Sequence, residues 1–195
     1  MNIKSTKFIG SFNNLDQCPK TDFKEFAFIG RSNVGKSSLI NFLTQKKDLA
    51  KVSNTPGKTQ SINFFLINES WHLIDLPGYG FAKRSRSLRE DWEKMMQRFF
   101  LKREQLHCVM QLIDSRIPPQ TKDLEHVHWL GANNVPFVLV FTKVDKKERA
   151  VCLKNIQLFK NELLKSWEEL PPSFLTSSEE KIGREEVMEF LANEL

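Results

Sequence analysis

A chain of 195 residues, 40% hydrophobic and 27% charged, is long enough to bury one substantial core and too ordinary in composition for a fibrous or disordered protein. Its formal net charge of +5 is compatible with an acidic partner such as RNA without requiring one. The three scattered cysteines, Cys18, Cys108 and Cys152, supply neither a disulfide framework nor zinc-ligand spacing, and no apolar run approaches the ~18 residues of a membrane span.

In chain order, residues 1–21 read as a loosely ordered lead-in, too polar for a signal peptide, so the expected compartment is the cytoplasm. One domain is expected over residues 22–195. It opens with a buried strand, Phe26–Ile29, then a loop and a helix, Ser37–Leu43. Ser61–Ile67 and Trp71–Leu76 read as strands joined tightly through Asn68, Glu69 and Ser70, a hairpin that would give the sheet one antiparallel edge. In Leu88–Gln105 the residues Leu88, Trp92, Met95, Met96 and Phe99 recur at helical spacing. Cys108–Ile113 and Pro136–Phe141 are dense in aliphatic and aromatic residues, as strands covered on both faces should be. Helical stripes follow in Thr121–Leu130, Glu148–Trp167 and Arg184–Asn193, with Ser173–Thr176 as a last strand. Strands alternating with helices predict an α/β fold: a three-layer, mostly parallel six-stranded sheet with one antiparallel edge and helices on both faces.

The first strand runs into GRSNVGKS, Gly30–Ser37, the GxxxxGK[ST] spacing of a phosphate-binding loop. Its glycines let successive N–H groups point at phosphates, and the helix beginning near Lys36 adds the positive end of its dipole. The predicted nucleotide contacts are Gly30, Arg31, Ser32, Asn33, Val34, Gly35, Lys36, Ser37 and Ser38. Lys36 should reach the β- and γ-phosphates, and the Ser37 hydroxyl should ligate Mg2+. This loop alone specifies a nucleoside triphosphate, not its base.

The base is read from Thr142, Lys143, Val144 and Asp145, a TKxD element at the end of a strand. The Asp145 carboxylate can accept from N1–H and the exocyclic amine of guanine, where adenine offers no donors. Lys143 can lay its aliphatic stem on the base. Thr176, Ser177 and Ser178 follow the last strand, where the Ser177 backbone N–H is expected to meet the guanine O6. A helix cap at Ser178, ahead of Glu179 and Glu180, is the competing reading.

DLPG, Asp75, Leu76, Pro77 and Gly78, ends another strand. Asp75 should hold Mg2+ through a water, and the Gly78 N–H should sense the γ-phosphate. The segment Tyr79–Arg89 is then a switch. Upstream, the loop Asn54–Gln60 is a second candidate switch, with Thr59 as another direct Mg2+ ligand, and Gly57, Lys58, Thr59, Gln60 and Ser61 are further predicted nucleotide contacts. Tyr79 stands where many small GTPases carry a water-orienting Gln, so hydrolysis should be slow without a partner or a cation. Lys36 and Asn33 are candidates for stabilising transition-state charge, and no general base is assigned.

The wordings GRSNVGKSSLIN (Gly30–Asn41), TPGKTQ (Thr55–Gln60), DLPGYGFAK (Asp75–Lys83) and TKVDK (Thr142–Lys146) resemble the EngB family, also called YihA or YsxC. These are bacterial Ras-like P-loop GTPases close to Era and EngA, and the resemblance covers about residues 22–195. It implies a Mg2+-dependent nucleotide switch binding GTP and GDP, partnered by the large ribosomal subunit and its rRNA, monomeric off the ribosome and needed for normal cell division and septation. It also implies a K+ ion at Asn33, since several related GTPases use an Asn at this place to ligate potassium. Lys83, Arg84, Arg86 and Arg89 offer a basic contact surface for RNA. His126 and His128, two apart on a helix, make a poor metal pair, and the four tryptophans read as packing. Competing functions are a GTP-gated scaffold for the small subunit or the division machinery, with incidental hydrolysis, and a P-loop ATPase.

Overall fold

Phe26, Ala27, Phe28 and Ile29 are all fully buried, so the strand that carries them must be covered on both faces, and that requirement organises the domain. The computed structural model describes residues 1–50, 61–80 and 86–195, without the side chains of 86–89 and 146. Its strands are β1 (Thr6–Phe12), β2 (Glu25–Gly30), β3 (Ile62–Ile67), β4 (Trp71–Asp75), β5 (Leu106–Asp114), β6 (Phe137–Thr142) and β7 (Ser173–Leu175). The helices are α1 (Lys36–Thr44), α2 (Arg86–Lys102), α3 (Thr121–Ala132), α4 (Arg149–Leu163) and α5 (Arg184–Asn193).

Among the described residues one sheet runs in the order β1-β3-β4-β2-β5-β6-β7. Strand β3 is antiparallel to both β1 and β4, and the remaining pairs are parallel. On one face Phe26 and Phe28 meet Leu39, Ile40 and Leu43 of α1 and Val187, Met188 and Leu191 of α5. On the other, Ala27 and Ile29 pack with Met96, Phe99 and Phe100 of α2, while Leu139 and Phe141 pack with Val127 of α3 and Cys152, Ile156 and Phe159 of α4. The three-layer α/β expectation therefore holds, with one strand more than the six expected.

That strand is β1, formed by a segment read as a loosely ordered lead-in. It holds the sheet edge, which the sequence assigned to the hairpin. Its side chains are mostly half-buried or exposed, so hydrophobic periodicity carries little signal. Backbone pairing with β3 and the ring contacts Phe8–Phe65 and Phe12–Phe64, at 5.5 and 5.6 Å, fix it instead. The Asn68 side chain accepts from the amides of Lys4 and Ser5 at 2.7 and 3.2 Å, which ties the lead into β1 to the hairpin turn.

Strands β2, β4, β5, β6 and β7 end on the same side, delivering Gly30, Asp75, Asp114, Thr142 and Thr176 to one rim, where open parallel sheets bind ligands. No helix is long and apolar enough to cross a membrane among the described residues.

Candidate nucleotide site

The phosphate loop leaves β2 at Gly30 and enters α1 at Lys36. Gly35 has φ +99, a left-handed conformation that a Cβ disfavours, and Asn33 has φ +65, which Asn tolerates best among other residues. The loop closes on itself through Val34 N–H to Arg31 O at 3.1 Å, and the helix takes over with Leu39 N–H to Gly35 O at 2.8 Å. Val34 turns its side chain into the core, as do Leu76 and Val144, so these three predicted contacts can offer a nucleotide only backbone.

The TKxD element grips this loop. The Thr142 hydroxyl, buried, donates to Val34 O at 2.6 Å, and the Lys143 ammonium donates to Asn33 O at 2.5 Å. Lys143, itself at φ +61, passes so close to the loop that a Cβ on Gly35 would lie 3.4 Å from its Cε. Its ammonium also meets the Asp114 carboxylate at 2.7 Å, and Asp114 accepts from the Arg116 guanidinium at 3.2 Å. These partners hold the Asp114 carboxyl below the usual carboxylate range, against the upward pull of its burial. Sequence reading missed Asp114. Its only signal was position, at the carboxyl end of a strand beside the two that carry the motifs.

Lys36 lies almost fully buried, and its ammonium pairs with the Asp75 carboxylate, which also accepts from Asn63 Nδ2 at 3.4 Å. Burial pulls the Lys36 pKa down to about 7. The carboxylate in contact acts the other way, and phosphate oxygens would add to it. The half-buried Ser37 opens α1 beside this pair. A hydroxyl and a carboxylate form an oxygen-only donor set, which suits Mg2+, an ion that takes few protein ligands and keeps phosphates and waters. Residues Gly57, Lys58, Thr59 and Gln60 lie outside the described residues, as do Lys83, Arg84 and the side chains of Arg86 and Arg89.

At the base end, Asp145 Oδ1 accepts from the Ser177 hydroxyl at 2.5 Å, and that hydroxyl accepts from Glu180 N–H at 3.0 Å. The Ser177 N–H, expected at the guanine O6, instead donates to Ile182 O at 3.1 Å. This is a correction: a two-residue bridge between Ser177 and Ile182 consumes that amide and leaves the next one, on Ser178, at the loop's turn. The bridge closes only because Gly183 follows it at φ +79, where a Cβ would fall 1.9 Å from Leu175 O. Thr176 is buried, its N–H and hydroxyl both on Phe141 O at 2.8 and 3.2 Å, so it braces β7 against β6. Ser178 does not cap a helix, since α5 begins only at Arg184.

Tyr79 turns away from the phosphate loop into the core beneath α2 and α3. His126 stacks on its ring at 4.9 Å and does not pair with His128, whose Nδ1 accepts from Trp167 Nε1 at 2.8 Å. No cluster of three or more metal-ligating His, Cys, Asp or Glu occurs among the described residues.

A phosphate loop, a buried Lys–Asp pair and the TKxD carboxylate Asp145, on one rim of this sheet, define the P-loop GTP-binding class. Residues 25–143 match the family described as 50S ribosome-binding GTPase. Proteins named Probable GTP-binding protein EngB from Christiangramia forsetii and Bacteroides fragilis are each 51% identical over 191 residues, which is 98% of this chain and 96% and 95% of theirs. The fold resembles that of Aquifex aeolicus Era bound to GDP·AlF4−, with TM-score 0.69, 24% identity and 90% of this chain spanning 57% of that one. It also resembles the G domain of T. maritima FeoB, with TM-score 0.56, 26% identity and 88% of this chain spanning 98% of that one. The chain belongs to the EngB family of GTP-binding proteins, and it is a GTPase.

Proposed function

We propose that this GTPase is a Mg2+-dependent switch in assembly of the large ribosomal subunit, acting in the cytoplasm as a monomer off the ribosome. Its effect on cell division and septation would follow from that assembly. The observation that carries the switch is a backbone bridge: Tyr79 N–H donates to Gly30 O at 3.2 Å and Ser32 N–H to Tyr79 O at 3.1 Å. Through it, whatever fills the phosphate loop bears directly on the segment leading into α2. The family's description and the basic residues Lys83, Arg84, Arg86 and Arg89 support rRNA of the large subunit as the partner.

In this reading the loop amides and Lys36 hold the phosphates. Ser37 and Thr59 bind Mg2+ directly and Asp75 through a water, and the ion supplies charge neutralisation on the phosphates. Asp145 reads the guanine edge, Lys143 lies along the base, and the Ser178 amide faces O6. The protein's part in hydrolysis is positioning and charge stabilisation. Co-sedimentation with separated subunits tests the assignment. Binding to the large subunit with a non-hydrolysable GTP analogue and release with GDP is expected; binding to the small subunit or to neither would overturn it.

The exposed Asn33 supports a role for potassium. Single-turnover hydrolysis should run about tenfold faster in K+ than in Na+, and Asn33→Ala should erase the difference. Equal rates in both salts would remove the cation from the mechanism.

A further inference from the structure

Around the Tyr79 side chain lies a chain of polar groups that the GTPase chemistry does not explain. The Tyr79 hydroxyl donates to Asp123 Oδ1 at 2.7 Å and accepts from Gln111 Nε2 at 2.6 Å, and Gln111 Oε1 meets His126 Nδ1 at 2.7 Å. Tyr79, Gln111 and Asp123 are 8%, 0% and 2% exposed. Burial pulls His126 down to about 4, so its ring is neutral at neutral pH. Because Gln Oε1 only accepts, His126 Nδ1 must carry the hydrogen. Every donor then points the same way, from His126 to Gln111 to Tyr79 to the Asp123 carboxylate, and such chains strengthen one another.

A buried carboxylate is costly, and apolar side chains would fill this space as stably. Burial pushes the Asp123 carboxyl up to about 6, opposed by the Tyr79 hydrogen bond and the Arg31 charge. What the chain secures is Tyr79, the residue after Gly78. With the side chain fastened to β5 and α3, and the backbone fastened to Gly30 and Ser32, the preceding peptide has little freedom left. Gly78 sits directly over the phosphate loop, where an added Cβ would lie 2.9 Å from Gly30 O and 3.4 Å from Ser32 N. Among the described residues nothing accepts its N–H.

We infer that Asp123 is a positioning residue: acting through Tyr79, it pre-organises the Gly78 N–H for the γ-phosphate, so that GTP is bound without first ordering this segment. The inference rests on the reading of Gly78 as γ-phosphate sensor. GDP, which lacks that phosphate, should be indifferent to it.

The test compares Asp123→Asn, Tyr79→Phe and the double variant, by titration with GDP and with a non-hydrolysable GTP analogue. Tyr79→Phe keeps the ring stacked on His126 and serves if Asp123→Asn folds poorly. Each single variant should bind GDP within twofold of the parent, bind the analogue about tenfold more weakly and hydrolyse GTP more slowly in a single turnover; the double variant should be no worse than either. Parallel loss of GDP and analogue binding would make the network merely structural and overturn the proposal, as would unchanged analogue binding or losses that add. The Gly78 amide itself, followed by amide NMR, separates the two readings, because GDP lacks the phosphate it should meet. If its resonance is the same in the GDP and analogue complexes of the parent, the Gly78 assignment falls and takes the proposal with it; if it shifts in the parent while Asp123→Asn leaves analogue binding intact, the proposal falls alone.

Discussion

Asp145→Asn should weaken GTP binding by about a thousandfold, on the order of 4 kcal/mol, and leave thermal stability almost unchanged. The carboxylate has two acceptor oxygens for two guanine donors. Asn turns one acceptor into a donor that faces N1–H or the amine, so a hydrogen bond is lost and two donors oppose each other. Xanthine carries a carbonyl where guanine has the amine, so xanthosine triphosphate should regain affinity in the variant. The half-buried Asp145 accepts from the Ser177 hydroxyl, and an Asn oxygen still accepts from that hydroxyl. Calorimetric titration with GTP, ATP and the xanthine nucleotide reads all of this at once. Unchanged GTP affinity, or ATP bound as tightly as GTP, would remove Asp145 from the base site and revive the ATPase reading.

Arg103→Met should cost about 3–5 kcal/mol of stability, a large share of the roughly 5–15 kcal/mol that holds a domain together. Arg103 lies just beyond α2, at the end of the sheet opposite the nucleotide rim. It clamps Glu25, the first residue of β2, by Nε to Oε2 at 2.9 Å and Nη2 to Oε1 at 2.6 Å. Glu25 is wholly buried, and the same guanidinium donates to Pro19 O and lies 5.5 Å over the Phe64 ring. His72, 3.8 Å from Glu25, is pushed toward neutrality by burial and by Arg103 itself.

Even with Arg103 present, burial holds the Glu25 carboxyl above its ordinary value, and loss of the guanidinium must raise it further. A carboxyl whose folded pKa is raised contributes stability that is full below its unfolded pKa and lost as pH rises through the folded one. The deficit of the variant should therefore shrink as pH falls toward about 4.5 and reach its full size above the raised pKa. Urea unfolding at pH 5 and pH 8 measures the difference. Adding Glu25→Gln should recover much of the loss, because no charge is then left buried. GTP affinity of the folded variant should match the parent. A variant as stable as the parent at pH 8 would show that the pair contributes nothing.

Much of the site was legible in the order of residues because phosphate loops and base readers are local. The GRSNVGKS run needs only a strand before it and a helix after it, and Asp145 needs only a strand to carry it to the rim. What escaped sequence reading was non-local. The TKxD spacing does not show that the Thr142 hydroxyl is what holds Val34. Asp114 belongs to no motif, but it fixes the lysine that crosses the loop. The Ser177 amide was misassigned because its partner, Ile182, is brought back by a turn that depends on Gly183. Strand β1 was missed because it adds edge hydrogen bonds and two ring contacts, not a buried stripe.

The sequence by itself determined the GRSNVGKS loop, the TKxD element, the Asp75–Gly78 element and the alternation of strands and helices. Each is carried by neighbours in the chain, where spacing and backbone preference act directly. Only the tertiary structure decided where Tyr79 points, which amide the Ser177 turn leaves available, and that a segment far upstream closes the sheet edge. Those outcomes depend on which distant groups satisfy one another once water is excluded. Tyr79 shows the difference: in sequence it is a missing glutamine, and in the fold it is the bolt between Asp123 and the phosphate loop.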